Sequence, residues 1–461
     1  MDGDVFRPAI MMSLDDVALA TAGTLHGSRV AILGVTTDSR RVSPGELFVA
    51  LVGERFDGHG FVEEAIRRGA VAALVSRRVQ ASLPAPQVVV EDTRIGLGKL
   101  AAHWRARFAV PMVALTGSNG KTTVKEMIAS ILARHVGARE AVLATEGNLN
   151  NDIGMPLTLL GLRERHRYAV IEMGMNHLGE IDYLTRIARP DVALVNNAHR
   201  AHVGMLGSVE AVARAKGEIY AGLSASGIAL VNADDPFADY WKGLNAGHRV
   251  ITFGVDRTAD VHAGAEGSSA RFVIPGDAFA VPLQVAGEHN LRNAAAACAA
   301  AYALGIASKS IQAGLAAFAG VPGRLQRRRG VKGALLIDDT YNANPESMQA
   351  AIAVLAAEAG RRILVMGDMG ELGAEAPAMH AEVGAFAASR RIDALLALGS
   401  DSAHAVKSFG AAGRHFESPD ALVTAATEQA APGVVLLVKG SRFMQMERVA
   451  DRLAEGCAGA V

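Results

Sequence analysis

A short glycine-rich segment constrains what this chain can fold into more than any other feature. It follows the β-branched run Val110–Thr116 and precedes a helical pattern over Thr123–His135. Glycines let the backbone wrap an anion, and the start of a helix offers unpaired N–H groups to phosphate oxygens. The segment therefore predicts a strand, a nucleotide-binding turn and a helix. Its residues, called here the glycine-rich loop, are Gly117, Ser118, Asn119, Gly120, Lys121, Thr122 and Thr123.

The glycine-rich loop departs from the common Gly-x4-Gly-Lys-[Ser/Thr] pattern, because Leu115 occupies the position of the first glycine. The match is to a shorter form, Gly-x-x-Gly-Lys-Thr. In this form Lys121, expected in an exposed loop, supplies a positive charge to the β- and γ-phosphates, and Thr122 offers its hydroxyl to Mg²⁺. The alternative is a plain strand–turn–helix. The flanking strand and helix favour phosphate binding.

The rest of the chain predicts an α/β fold of several domains. At 461 residues it exceeds one ordinary domain,. Short apolar runs alternate with helical segments, which indicates parallel sheets covered on both faces. We predict a small α/β domain over residues 1–108, a central parallel-sheet domain over 109–320 and a Rossmann-like domain over 321–461. The predicted strands are Val110–Thr116, Tyr168–Met173, Val192–Asn196, Gly227–Asn232, Leu335–Asp338, Arg362–Met366, Ala394–Leu398 and Val434–Lys439.

Many of these strands end in polar residues or glycine. Ligands of open parallel sheets bind beyond the carboxyl ends of the strands. We therefore expect the chemistry at Thr116-Gly117, Glu172-Met173-Gly174, Asn196-Asn197, Asp338-Asp339 and Lys439-Gly440.

Charge and cysteine content exclude several classes. The formal net charge is −1, from 46 basic and 47 acidic residues, so nucleic-acid binding is not expected,. The basic run Arg327–Arg329 is interpreted as a solvated turn, with a phosphate patch as the alternative. No apolar run reaches the ~18 residues of a membrane span, and no signal peptide is visible. Cys298 is interpreted as a buried structural thiol, and without disulfide or metal spacing to Cys457 a cytoplasmic protein is expected,.

Other candidate residues remain ambiguous on spacing alone. Glu172, at a strand end, is either a Mg²⁺ ligand or a solvated carboxylate. His202 is more often structural than metal-ligating in such a loop, and His199 cannot be distinguished from it. Lys216 is interpreted as a surface helix lysine.

Taken together, the motifs resemble the Mur ligase family over essentially the whole chain, and in particular its branch that joins D-Ala-D-Ala to UDP-N-acetylmuramoyl (UDP-MurNAc) tripeptide. They are the glycine-rich loop with Thr37-Asp38-Ser39-Arg40, Pro44-Gly45-Glu46-Leu47-Phe48, Phe56-Asp57-Gly58-His59, Gly147-Asn148-Leu149-Asn150-Asn151, Glu172-Met173-Gly174, Ala215-Lys216-Gly217-Glu218, Gly287-Glu288-His289-Asn290-Leu291-Arg292-Asn293, Pro322-Gly323-Arg324, Asp338-Asp339-Thr340-Tyr341-Asn342-Ala343-Asn344-Pro345, Gly367-Asp368-Met369-Gly370-Glu371-Leu372-Gly373 and Lys439-Gly440-Ser441-Arg442.

The resemblance implies an amino-terminal UDP-sugar domain, a central ATPase domain and a carboxy-terminal domain that closes over the site. It implies ATP, two Mg²⁺ ions and a carbamylated lysine, which would be Lys216. Catalytic positions are Lys121, Glu172, His202 and Lys216, and metal positions are Thr122, Glu172, His202 and carbamylated Lys216. Asn293 matches an adenine contact, and Arg324 and Asp339 match ribose contacts. Substrate candidates within the motifs are Ser39, Arg40, Asp57, Asn148, Asn151, Asn342, Asn344 and Ser441.

One departure from the family pattern concerns the metal histidine. The family's Ala-His-Leu-Glu is here Ala201-His202-Val203-Gly204, so the acidic neighbour is missing.

The protein is expected to be a monomer. The alternatives are a MurE-like or folylpolyglutamate synthetase-like ligase, a P-loop ATPase switch, or an inactive scaffold. The MurE-like Asp-Asn-Pro-Arg signature is absent, and Asn342-Ala343-Asn344-Pro345 is present instead.

Overall fold

The structure is a computed structural model that describes residues 10–54, 56–80, 82, 84–201 and 203–456. Three large sheets follow one another along the chain, and helices flank them. They are referred to below as the sheets of the first lobe (residues 10–105), the second lobe (112–317) and the third lobe (323–456). The expected α/β class is confirmed.

The first lobe contains a five-stranded sheet of order β2-β7-β6-β5-β4, parallel except for the antiparallel pair β2 and β7, and a small antiparallel pair of β1 with β3. Its strands are β1 (Met12–Ser13), β2 (Thr24–His26), β3 (Ala31–Ile32), β4 (Gly34–Thr36), β5 (Glu46–Val49), β6 (Ala72–Val75) and β7 (Gln87–Val89), and its helices are α1 (Leu14–Thr21), α2 (Val62–Arg67) and α3 (Thr93–Arg105).

The second lobe contains a nine-stranded sheet of order β16-β15-β14-β13-β12-β11-β8-β10-β9, parallel from β9 to β14, with β15 and β16 added antiparallel. Its strands are β8 (Met112–Thr116), β9 (Val142–Ala144), β10 (Tyr168–Glu172), β11 (Val192–Val195), β12 (Ile228–Asn232), β13 (Arg249–Gly254), β14 (Val261–Glu266), β15 (Ser269–Ile274) and β16 (Asp277–Val281). Its helices are α4 (Lys121–Val136), α5 (Gly154–Leu160), α6 (Glu180–Ala188), α7 (Val203–Leu206), α8 (Val209–Gly217), α9 (Ala238–Leu244), α10 (Glu288–Ala303) and α11 (Ser308–Ala317).

The third lobe contains a six-stranded sheet of order β17-β18-β22-β19-β20-β21, parallel except for β17. Its strands are β17 (Gln326–Arg329), β18 (Leu335–Asp339), β19 (Arg361–Gly367), β20 (Ala394–Leu398), β21 (Gly413–Phe416) and β22 (Val434–Lys439), and its helices are α12 (Pro345–Ala357), α13 (Ala376–Ser389), α14 (Ser402–Phe409), α15 (Pro419–Gln429) and α16 (Glu447–Leu453).

The eight strands predicted from apolar runs are all present, with ends that differ by at most a few residues. The interpretation of Arg327–Arg329 as a solvated turn was wrong in its secondary structure, although Arg327 and Arg329 are exposed as expected. These residues belong to the edge strand β17, where Arg327 forms a bidentate pair with Glu358 (2.7 and 2.8 Å) and Arg328 contacts Asp338 at 2.8 Å. The sequence could not reveal that Glu358 and Asp338 are the ion-pair partners of Arg327 and Arg328.

The hydrophobic cores separate the third lobe from the other two. One buried cluster contains Leu47 and Leu100 of the first lobe together with Met112 and Ile171 of the second. The alternate residues of β8 enter a second cluster under α4 and α10. The third lobe has one cluster on each face of its own sheet. Among the described residues, no hydrophobic cluster combines buried residues of the third lobe with those of the first two.

Helix packing beneath the second sheet depends on small residues. Residues 294 to 301 of α10, which include Cys298, are fully buried, so the expected buried thiol is confirmed and burial raises its pKa. On α11, a Cβ at Gly314 would lie 2.3 Å from the Ile131 Cα of α4. Only glycine permits that approach.

We predict that Gly314→Ala lowers the stability of the protein by about 1–3 kcal/mol, because α11 must move away from α4. This is the net loss that remains after the roughly 1 kcal/mol that alanine gains over glycine in a helix interior. Gly243→Ala is the matched control, since Gly243 lies in α9 and a Cβ added there would meet no atom within 4 Å. Calorimetric unfolding of both variants checks this, and equal midpoints would contradict it.

Candidate active site

The glycine-rich loop leaves the middle of the second sheet. Strand β8 lies between β10 and β11, with Thr116 opposite Val195 and Leu115 opposite Glu172. The carboxyl ends of these parallel strands therefore meet at one edge. The expectation that polar strand ends gather there agrees with this register for Thr116, Glu172 and Asn196.

Two glycines of the loop are required by their neighbours. A Cβ on Gly117 would lie 2.9 Å from the Cβ of Asn196, and one on Gly120 would lie 2.2 Å from Asn293 Oδ1. Gly120 also has φ of +79°, in the left-handed region that favours glycine,. Asn293, the candidate adenine contact, thus packs against the loop itself.

Asn196 and Asn197 hold the glycine-rich loop in place. The N–H of Ser118 donates to the Asn197 carbonyl at 3.0 Å, and the N–H of Asn119 donates to Asn197 Oδ1 at 2.8 Å. Asn196 Nδ2 donates to the Asn119 carbonyl at 2.9 Å and to Asn293 Oδ1 at 3.1 Å. The loop conformation is therefore set by the neighbouring strand end, which leaves the first turn of α4 to meet an anion.

Lys121 begins α4 instead of lying in an exposed loop, and it is half-buried. Its Nζ donates to the Gly117 carbonyl at 2.7 Å. The pKa of Lys121 is lowered, and burial is the main cause. The charge of Arg324 adds to this lowering, whereas the Glu172 carboxylate opposes it. The lysine therefore faces the inside of the loop, where an anion would lie.

Thr122 and Glu172 form a buried oxygen pair beside the loop. The Thr122 hydroxyl donates to Glu172 Oε2 at 3.0 Å. Among the described residues, no group of three or more His, Cys, Asp or Glu side chains is arranged to hold a metal ion. This fits Mg²⁺, which takes one or two protein oxygens and completes its shell with water and phosphate oxygens.

Glu172 is held from three sides. Asn150 Nδ2 donates to Glu172 Oε1 at 2.8 Å. The backbone N–H of Glu172 donates to the Thr145 hydroxyl at 2.9 Å. The Thr145 carbonyl in turn accepts from Lys125, a buried cation that also pairs with Glu126 at 2.7 Å. Glu172 is therefore not the solvated carboxylate of the two alternatives, and its role as a Mg²⁺ ligand stays a prediction.

The interpretation of Lys216 as a surface lysine was wrong. Lys216 is 1% exposed, near the end of α8. Burial, assisted by the charge of Lys121, lowers its pKa well below the ordinary value.

His202 lies outside the described residues. His199 lines the cleft described below and exchanges hydrogen bonds with Ser118 through its backbone.

The third lobe contacts the glycine-rich loop directly. Arg324 Nη2 donates to the Thr122 hydroxyl at 2.8 Å, and its guanidinium lies 4.1 Å from the centre of the Tyr341 ring. Asn344 caps α12 through Ser347 and also donates from Nδ2 to Asn119 Oδ1 at 2.8 Å. The side chains of Arg324 and Asn344 therefore lie beside Thr122 and Asn119 of the glycine-rich loop.

Asp339, the second candidate ribose contact, is nearly buried. Its carboxylate accepts from the Leu325 N–H at 3.1 Å and pairs with Lys439 at 2.7 Å. Lys439 Nζ also donates to the Asn342 carbonyl at 2.8 Å. The strand ends of the third sheet are thus cross-linked at the same cleft.

A cleft of about 1020 Å³ lies between the second and third lobes. The first-lobe candidates Ser39, Arg40 and Asp57 are not among its lining residues. Arg40 pairs with Asp38, which lowers the pKa of Asp38 to about 2, and Asp57 pairs with Arg77 at 2.6 Å. The candidates that do line the cleft are Ser118, Asn119, Gly120, Lys121, Thr123, Asn148, Asn151, Glu172, Asn293, Arg324, Asp339, Asn342, Asn344 and Ser441.

Several residues of the site escaped the sequence analysis. Asn150 and the pair Asn196-Asn197 were visible as motif or strand-end residues but received no role. Lys125 was assigned no role although its partners Glu126 and Thr145 are near it in the sequence, whereas the partners of Arg200 lie far along the chain. In the described part of the chain, no helix is both long and apolar enough to span a membrane.

Comparison with known proteins covers all three lobes. Sequence profiles match the Mur ligase family catalytic domain at residues 31–105, the Mur ligase middle domain at 115–301 and the Mur ligase glutamate ligase domain at 323–442. The UDP-N-acetylmuramoyl-tripeptide–D-alanyl-D-alanine ligase of Escherichia coli is 44% identical, over 97% of this chain and 99% of the relative. The enzyme of that name from Bacillus subtilis is 36% identical, over 97% and 99%.

Solved structures agree. A crystal structure of MurF from Acinetobacter baumannii superposes with a TM-score of 0.89 at 39% identity, covering 96% of this chain and 98% of the other. MurF ligase from Thermotoga maritima in complex with ADP gives 0.81 at 30% identity, with 92% and 97% covered. The likeness extends across every lobe that borders the cleft. The chain belongs to the Mur ligase family.

Proposed function

We propose that this chain is an ATP-dependent ligase that joins D-Ala-D-Ala to UDP-MurNAc-tripeptide in peptidoglycan synthesis. The observation that carries the proposal is the meeting of the glycine-rich loop with Arg324 and Asn344 of the third lobe in one cleft. Relatives of full length carry the name of this activity. The reaction belongs in the cytoplasm, where ATP is available.

The chemistry begins with the terminal carboxylate of the tripeptide. A carboxylate oxygen attacks the γ-phosphorus of ATP, ADP leaves, and an acyl phosphate results. The D-Ala-D-Ala amine then attacks the acyl carbon, phosphate leaves, and the amine loses its proton. Lys121 and Arg324 stabilise negative charge at the transferred group. Closure of the third lobe over the loop keeps water from hydrolysing the acyl phosphate.

Mg²⁺ would be held by the Thr122 hydroxyl and the Glu172 carboxylate, and its charge would neutralise the phosphate oxygens. His202 remains a candidate ligand by position in the motif. Asn150 and Thr145 fix the orientation of Glu172, as supporting hydrogen bonds do for metal ligands in general.

Carbamylated Lys216 is part of the proposal. Burial lowers the pKa of Lys216, which favours the neutral amine, and the lone pair of that amine can attack CO₂, forming an N–C bond and releasing a proton to water,. The product would be an anion that would help to order a second Mg²⁺. An unmodified, protonated lysine there would repel the metal.

The remaining substrate contacts and domain limits are also proposed. We infer that the domains span residues 1–108, 109–320 and 321–461, a division that gives each one large sheet. The first would hold the UDP-sugar through Ser39, Arg40 and Asp57. Asn148 and Asn151, with Asn342, Asn344 and Ser441, would contact the peptide substrates in the cleft, and Asn293, Arg324 and Asp339 the nucleotide. The protein would act as a monomer.

Substrate-dependent phosphate release tests the function. We expect release of ADP and phosphate that requires both UDP-MurNAc-tripeptide and D-Ala-D-Ala, with the amide product identified by mass spectrometry. Turnover with neither substrate would instead favour an ATPase switch. Use of a single amino acid in place of D-Ala-D-Ala would favour a MurE-like or folylpolyglutamate synthetase-like ligase. Failure to bind ATP would indicate an inactive scaffold.

We predict that Lys121→Met lowers kcat by at least about 100-fold, because the charge developing on the transferred phosphoryl group loses its cation. The fold should be retained, since Lys121 bonds within its own loop. Lys309→Met, at an exposed position of α11, is the matched control for lysine removal. Steady-state kinetics with circular dichroism measure both effects, and near-normal turnover of Lys121→Met would refute the role.

We predict that Lys216→Ala abolishes most ligase activity and that short carboxylates added to the buffer restore part of it. Labelled bicarbonate should give a carbamate carbonyl signal in the NMR spectrum of the wild-type protein, and Lys216→Ala should lack that signal. A fully active Lys216→Ala, or an unchanged carbamate signal in it, would exclude the carbamate role.

A further inference from the structure

No hydrophobic cluster of the described residues joins the second and third lobes, although Val354 of α12 packs beside Gly287 of the second lobe. The first and second lobes, in contrast, have a buried cluster in common. Because the third lobe brings Arg324 and Asn344 to the glycine-rich loop without a shared apolar core, polar contacts must contribute to its position there.

Arg200 makes the densest ionic contact across this junction. It follows β11 in the second lobe, and its Nε donates to Glu346 Oε1 at 2.5 Å. Its two terminal nitrogens donate to Glu382 at 2.7 and 2.9 Å, in the fork geometry that gives arginine–carboxylate pairs their strength and direction,. One cation thereby links α12 and α13 of the third lobe to the second lobe.

Arg200 and Glu346 of this cluster are half-buried, whereas Glu382 is 44% exposed. The side chains of Arg200 and Glu346 are 28% and 25% exposed. The second carboxylate oxygen of Glu346 is buried and has no hydrogen-bond partner among the described residues. Removal of Arg200 would leave that carboxylate buried without its cation, which disfavours the closed arrangement more than loss of a solvated pair would.

The segment that carries Arg200 also holds the glycine-rich loop. Asn197 accepts from the N–H groups of Ser118 and Asn119, and the N–H of His199 donates to the Ser118 hydroxyl. Glu346 lies in the first turn of α12, next to the helix cap Asn344 that contacts Asn119. The Arg200–Glu346 ion pair and the Asn344–Asn119 hydrogen bond therefore join the same two segments of the second and third lobes.

Backbone packing at Gly204 adds to this junction. Its N–H donates to the Glu371 carbonyl at 3.0 Å, and a Cβ there would lie 2.7 Å from that carbonyl oxygen and 2.8 Å from the Gly373 nitrogen. The glycine that replaces the acidic residue of the family pattern is thus the residue that lets the third lobe approach.

We propose that Arg200 is a positioning residue for ligation, which holds α12 and α13 of the third lobe against the second lobe so that Arg324 and Asn344 reach the glycine-rich loop. The proposal deepens the proposed function and rests on it for the kinetic part. Arg200 is assigned no contact with substrate. It acts through the third lobe.

The test compares Arg200→Met with Arg327→Met in the full-length protein. Arg327 forms an equally bidentate pair with Glu358, but both residues lie within the third lobe. We expect Arg200→Met to lower kcat/KM for D-Ala-D-Ala by about tenfold, which corresponds to the loss of one strong ion pair. Its radius of gyration from small-angle X-ray scattering with ATP and Mg²⁺ should rise. Arg327→Met should change neither quantity.

Two further variants keep the test decisive. Glu382→Gln should reproduce the effect in part, and the double variant with Arg200→Met should be less impaired than the product of the two single effects, because the residues act as one unit. Arg200→Lys retains the charge without the fork and should fall between wild type and Arg200→Met. It also serves if the methionine variant fails to fold.

The outcomes separate the two proposals. If Arg200→Met matches Arg327→Met in both scattering and kinetics, Arg200 does not position the third lobe. If the wild-type protein forms no amide, the proposed function fails, and the scattering comparison alone decides the role of Arg200.

Discussion

The hydrogen bonding of Asn196 and Asn197 to the glycine-rich loop is the interaction on which the rest of the site depends. A loop that leaves a buried strand must satisfy its backbone groups without helix or sheet partners. Here the neighbouring strand end supplies the acceptors for Ser118 and Asn119 and the donors for the Asn119 carbonyl. Because those needs are met from the side, the first turn of α4 keeps its own N–H groups for a ligand. The conformation of the loop is thereby held by groups of the protein itself.

That arrangement requires close approach, which explains the residue types around it. Asn293 and Asn196 lie where side-chain atoms of residue 120 would otherwise be, so the position accepts glycine alone. Thr122 can then present its hydroxyl to Glu172 and accept from Arg324 at the same time. A single small hydroxyl connects the Glu172 carboxylate of the second lobe to Arg324 of the third. The geometry of the loop and the position of the third lobe are consequently coupled.

The sequence predicted the strands, the loop and the edge of the sheet where they meet, because apolar runs and strand ends are local patterns. It did not predict the burial of Lys216, since an α-helix pattern does not reveal which face a neighbouring element will cover. It also placed Arg327–Arg329 in a turn instead of a strand, because the carboxylates that order this strand lie elsewhere in the chain. Arg200 had no detectable signal for the same reason, with partners 146 and 182 residues away. Contacts between lobes depend on tertiary structure that local periodicity does not encode.

The junction between the first and second lobes differs from the junction between the second and third lobes, and the difference affects how firmly each pair of lobes is held together. A shared apolar core loses buried area in every relative movement of the lobes, so the first two lobes behave as one body,. A polar junction can exchange its hydrogen bonds and ion pairs for water at much smaller net cost. The third lobe is therefore held less firmly to the second lobe than the first lobe is. Directional contacts such as those of Arg200 and Asn344 then define a single closed position, which apolar packing alone would define less sharply.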